Sequence, residues 1–130
     1  MRASAMIVSR GVSVARRMLL PIVLLTACAS ATPTAIPSIQ AIEGKWAGTI
    51  TLGSGSQEFY YLTIHPDGSI VAQWGINWQW GRITLSGGQG SFELMERITG
   101  SIRYYAGPSG RSLRLDPEFG AWTAYVTPVT

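Results

Sequence analysis

From residue 44 onward, apolar side chains recur at every second position, and short runs of glycine, proline, serine, asparagine and aspartate interrupt them. Trp46, Gly48, Ile50 and Leu52 fall on one side of a first segment, with Ala47, Thr49 and Thr51 on the other. In a second segment, Tyr60, Leu62 and Ile64 alternate with Phe59, Tyr61 and Thr63. A period of two is the signature of a β-strand, whose successive side chains leave opposite faces. The pattern predicts strands over 46–52, 58–64, 70–74, 78–85, 91–98, 101–105, 112–115 and 121–126. Turn chemistry separates them, as at His65-Pro66-Asp67-Gly68, where proline presets one backbone angle and glycine supplies positive φ. No stretch keeps a convincing helical period, although 92–98 is ambiguous at its length. The expected fold is all-β: an antiparallel meander of about eight short strands, closed or partly open as a small β-barrel, because closure removes exposed edges. Residues 42–130 form this domain.

The first 27 residues follow a different rule. Arg2, Arg10, Arg16 and Arg17 form a basic region free of acids, and an apolar run follows over 18–27, interrupted by Pro21. That run is too short to cross a bilayer core, which needs about 20 residues. It has the form of a cleaved export signal. The run ends in Leu25-Thr26-Ala27-Cys28, and Cys28 is the only cysteine in the chain. These residues resemble the lipobox of bacterial lipoproteins. The resemblance implies cleavage between Ala27 and Cys28, a diacylglyceryl group on the Cys28 thiol, acylation of the freed amine, and anchorage in membrane lipid. It places the domain in the cell envelope, on the outer side of the cytoplasmic membrane or on the outer membrane. An ordinary secretory signal, cleaved at the Ala-x-Ala of Ala27-Cys28-Ala29, is the competing reading.

Cleavage changes the charge. The whole chain has a formal net charge of +3, with ten Lys and Arg against seven Asp and Glu. Four of those ten precede Cys28, so the mature chain keeps six against seven, a net of −1. Binding to phosphate backbones needs clustered cations, and none are clustered here, which excludes nucleic acid as a partner. Residues 28–41 hold no charge, no aromatic residue and two prolines. Such a stretch reads as a tether between lipid and domain. The alternative is that Ile36, Ile39 and Ile42 begin the fold as an edge strand.

Glu43-Gly44-Lys45-Trp46 stands at the entry to the first strand. A Gly-x-Trp at that point of an antiparallel meander resembles the calycin barrels: lipocalins, fatty-acid-binding proteins and avidins. The resemblance implies that Gly44 permits a tight entry and that Trp46 packs across a closed barrel end. In lipocalins a late arginine covers that tryptophan. Residues 121–126 contain none, which leaves Arg114 as a poor substitute. Eight strands enclose a space that side chains fill or that holds one small ligand, and strands this short favour a filled core.

Trp74, Trp78, Trp80 and Arg82 mark the candidate ligand or partner surface. Trp78, Trp80 and Arg82 share one face of a strand, and Gln79, Ile83 and Leu85 share the other, so strict alternation cannot bury both sets. Either a bulge at Gly81 switches the register and places the tryptophans inside, or they face outward as a stacking platform for a sugar ring, an acyl chain or a protein. Catalysis has little to stand on. His65 is the only histidine, no partner exists for a zinc site or a Cys–His pair, and no cofactor motif occurs. The expected function is therefore that of a membrane-anchored binding module for a small apolar or sugar-like ligand. The alternative is an envelope lipoprotein with a filled barrel that docks a protein.

Overall fold

The computed structural model describes residues 32–130, and Pro33–Thr130 form one compact unit. Cys28 and the export signal lie outside the described residues. Eight strands run in chain order: β1 (Gly44–Leu52), β2 (Gln57–Ile64), β3 (Ser69–Trp74), β4 (Asn77–Ser86), β5 (Gln89–Leu94), β6 (Ile98–Gly107), β7 (Gly110–Pro117) and β8 (Trp122–Pro128). Each pairs antiparallel with its neighbours in sequence, and β1 pairs with β8, so the sheet closes into a barrel. The inward alternate positions bury Ile50, Tyr60, Leu62, Ile70, Ala72, Ile83, Phe92, Leu94, Ile102, Leu113, Leu115, Ala124 and Val126. These side chains occupy the interior, as expected for an eight-stranded barrel with short strands. Strand boundaries shift by a few residues from the pattern, most of all at the end of the fifth strand. The expected strand over 91–98 ends at Leu94, and a 3-10 turn over Met95–Arg97, with Arg97 at φ 68°, carries the chain into β6.

The expected tether through Ala41 is corrected by the structure. From Pro33 the chain belongs to the domain, and it crosses one end of the barrel rather than joining as an edge strand. The Thr34 amide donates to the Tyr104 carbonyl at 2.6 Å, and the Ile36 amide donates to the Gly88 carbonyl at 2.9 Å. A 3-10 turn over Ile39–Ala41 then leads to β1. Ile36 and Ile42 are fully buried against the core. The segment holds because its isoleucines gain an apolar site that the barrel end supplies, a tertiary contact that no local composition reveals. An Ile36→Ala variant is expected to lose about 2–4 kcal/mol in chemical denaturation, the cost of truncating a core isoleucine. A change near zero would restore the tether.

Trp46 anchors the same end. Its indole Nε1–H donates to the Ile42 carbonyl at 2.9 Å. The Arg111 guanidinium lies 5.2 Å from the centre of the Trp46 ring and donates to the Ala41 carbonyl at 3.0 Å. The arginine over the tryptophan is thus Arg111 at the start of β7. Arg114 instead donates to Asp116 on the outer wall.

Three glycines stand where adjacent strand backbones approach too closely for a side chain. A Cβ added at Gly48, Gly81 or Gly100 meets the Tyr125, Glu93 or Asp116 carbonyl oxygen, at 1.9, 1.9 and 2.2 Å. Such glycines let strands coil tightly enough for a narrow barrel to close.

Candidate functional site

Gly81 decides where the tryptophans point. The β3–β4 pairing runs unbroken through Val71↔Trp80, Ile70↔Gly81 and Ser69↔Arg82, and the β4–β5 pairing continues from Gly81↔Leu94 to Arg82↔Glu93. There is no bulge at Gly81. Strict alternation sends Ile83 and Leu85 toward the core and leaves Trp78 and Trp80 on the outside, 50% and 55% exposed. Close strand approach, rather than a register switch, is what the glycine provides.

Trp74 is separated from them. It lies among the inward positions of β3, its ring stacked 5.6 Å from Tyr60 and tilted 6.1 Å from Trp122, while Phe92 is tilted 6.0 Å from Trp122. Trp74 thus belongs to an interior aromatic cluster, and the four-residue surface read from the sequence is corrected to exclude it. Tyr60 is fully buried there and its hydroxyl has no hydrogen-bond partner; burial pushes that phenol above its usual range. The Gln79 Oε1 is likewise buried and unpartnered. Arg82 also leaves the group in part, because its guanidinium donates to the Asp67 carbonyl at 3.2 Å and braces the β2–β3 turn. In that turn the Ser69 hydroxyl and amide both donate to the Asp67 carboxylate, which holds it below the usual carboxylate range.

On the outer wall, Trp78 and Trp80 are joined by residues the sequence left unassigned. Phe59 is 74% exposed, and Tyr61 and Tyr125 are about half exposed. One register row runs Ala47, Tyr61, Gln73, Trp78, and the next runs Lys45, Thr63, Val71, Trp80. Phe59 and Tyr125 both stand opposite Thr49. The face therefore spans β8 and β1–β4. Its signal was present in the sequence as the alternation of Phe59 and Tyr61 with Tyr60 and Leu62. Both sides of that strand are apolar, so period alone did not say which one the barrel encloses.

Alternation gives this wall a distinctive composition. The outward positions of β8, β1, β2 and β3 contain threonine, glutamine, serine, valine, alanine and the aromatics, with Lys45 as their one charge and no carboxylate. The strands that adjoin it are charged, with Arg114 on β7 opposite Tyr125 and Glu93 on β5 opposite Arg82. There Asp116 accepts hydrogen bonds from Arg114 Nε and Thr123 Oγ1, both at 2.9 Å, with Arg103 at 3.8 Å. These contacts bridge β7 and β8 beyond Leu115↔Ala124, where their backbone pairing stops. An open groove of about 600 Å³ lies beside them, lined in part by Glu93, Ser101, Arg103 and Glu118. Its hydroxyls and carboxylates are exposed, and its best-connected member, Asp116, is engaged in the strand seam.

Gly44 and Trp46 sit at the closed end, remote in role from either wall: Gly44 adopts φ 121° and Trp46 is buried. No protein-family model, no curated protein and no solved structure matches this chain.

Proposed function

We propose that the chain is an extracytoplasmic lipoprotein acting as a binding module, with its site on the outer aromatic wall rather than in the barrel lumen. The observation that carries this reading is the outward orientation of Trp78 and Trp80 over an interior already occupied by side chains. Large aromatic rings left half in water have no role in the core of their own domain, and clustered exposure of this kind marks interaction sites. The domain works as a rigid presenter: strand register fixes the spacing of the rings, and no lid or cavity is required.

Anchorage at Cys28 completes the proposal. Only six peptide steps separate Cys28 from Thr34, which is hydrogen-bonded to β6, so the lipid can lie at most about 20 Å from that point. The wall is thus presented close to a membrane surface. Two or more acyl chains give stable anchoring where one is marginal. A Cys28→Ala variant of the full chain is expected to move from the membrane to the soluble fraction, and intact mass measurement of the native protein is expected to show acyl groups on Cys28. An unmodified thiol, or unchanged partitioning of the variant, would refute the anchor.

A further inference from the structure

We infer that the outer wall of β1–β4 is a stacking platform for an uncharged polysaccharide chain. This rests on the outer-wall reading above and names the occupant of the same site.

Charge is the first argument. The outward positions of β8 and β1–β3 present one cation and no carboxylate, and the charges that border them are of both signs: Arg114 stands opposite Tyr125 and is paired with Asp116, and Glu93 stands opposite Arg82. An acidic polymer or an anionic bilayer is held by grouped lysines and arginines. Lys45 stands alone on these strands, and Arg82 on β4 is tied to the Asp67 carbonyl. A face with so few charges matches an uncharged ligand.

The second argument is the alternation of chemistry across the strands. Tyr61 and Trp78 share a row with the Gln73 amide between them, Thr63 lies in the row of Trp80, and Thr49 stands opposite both Phe59 and Tyr125. A pyranose ring has an apolar C–H face and a rim of hydroxyls. It stacks its face on an aromatic ring and hydrogen-bonds its rim to neighbouring amides and hydroxyls, which is the combination displayed here. Aliphatic surface is scarce, limited to Ala47 and Val71 among these rows, so an acyl chain finds little to cover it.

Spacing is the third argument. Trp78 and Trp80 lie two residues apart on one strand, about 6.7 Å, and Tyr61 stands two strand spacings from Trp78, about 10 Å. The rings form a strip rather than enclosing a hollow, each remaining at least half exposed. A strip engages several successive sugar rings weakly. Many copies held in one membrane convert weak single contacts into firm attachment to a polymer.

The test uses the full chain in detergent, sedimented with insoluble chitin, cellulose and mannan, with heparin beads and phosphatidylglycerol vesicles in parallel. Retention on at least one neutral polymer is expected, with little salt dependence. The Trp78→Ala/Trp80→Ala double variant is expected to bind about tenfold or more weakly with an unchanged circular dichroism spectrum, and Trp74→Phe is expected to bind as the native chain does. Retention on heparin or vesicles alone, or retention that the double variant keeps, would overturn the inference. Hydroxyl-radical footprinting separates the two levels. If Trp78 and Trp80 are protected in intact envelopes but no neutral polymer retains the protein, the glycan falls and the outer-wall reading stands. If they are neither protected nor needed for retention, both fall.

Discussion

Trp46→Ala is expected to lower the midpoint of thermal unfolding by about 15 °C or more, corresponding to a loss of about 3–5 kcal/mol for a domain of this size. Trp46 is 1% exposed, and three interactions converge on it. Removing the indole opens a cavity at the closed end, strips the Ile42 carbonyl of its donor and deprives Arg111 of the ring it covers. The segment over Ile39–Ile42 loses its fixing point at the same time, because Arg111 also holds the Ala41 carbonyl. Trp46→Phe separates these effects: it keeps most of the volume but leaves the carbonyl unsatisfied, at about 1–3 kcal/mol. Circular dichroism melts of the three proteins check the order. A Trp46→Ala midpoint equal to the native one would show that this end is held by something else.

Gly81→Ala is expected to be at least as damaging, although it adds a single methyl group. Its Cβ would sit 1.9 Å from the Glu93 carbonyl oxygen, which belongs to the neighbouring strand and cannot rotate away. The β4–β5 ladder must separate for the methyl to fit, so the loss is expected to exceed the ~1–3 kcal/mol of ordinary overpacking. Gly107→Ala is the matched control, since nothing lies within 4 Å of a Cβ at that position; its effect is expected to stay within about 0.5 kcal/mol. Equal denaturation midpoints for the two variants would contradict the tight strand approach at Gly81.

Both predictions rest on contacts of differing legibility in the sequence. The alternation in 46–52 and 58–64 identifies strands because burial on one face is a local periodicity. A meander of eight such strands leaves closure as the simplest way to hide its edges, and the β1–β8 pairing realises it. Arg111 over Trp46 is not local: 65 positions separate them, and only the barrel brings the start of β7 beside β1. The burial of the 33–41 segment is not local either, since its isoleucines are few and the strands that cover them lie elsewhere in the chain. At the candidate site, the residues Trp78, Trp80 and Arg82 were visible as one face of β4. Which face the barrel encloses depends on whether Gly81 is a bulge or a close approach, and both are glycine roles. Trp74 lies only four residues from Trp78, but the Gly75-Ile76 turn reverses the strand between them and the inward parity of β3 claims its ring.

The β1–β8 seam has a further consequence, for the order in which this molecule assembles. Every other strand pair joins sequence neighbours through a short turn, so each can form early and with little loss of chain entropy. The seam instead pairs Trp46 with Pro128, and it cannot begin until the final strand has been made and delivered. Until then β1 offers an unpaired edge, and its outward aromatic neighbours on β2 lie alongside it. Addition of β8 is therefore the step that turns an open sheet with an exposed edge into a closed ring. A chain interrupted before Thr123 is the form most prone to aggregation.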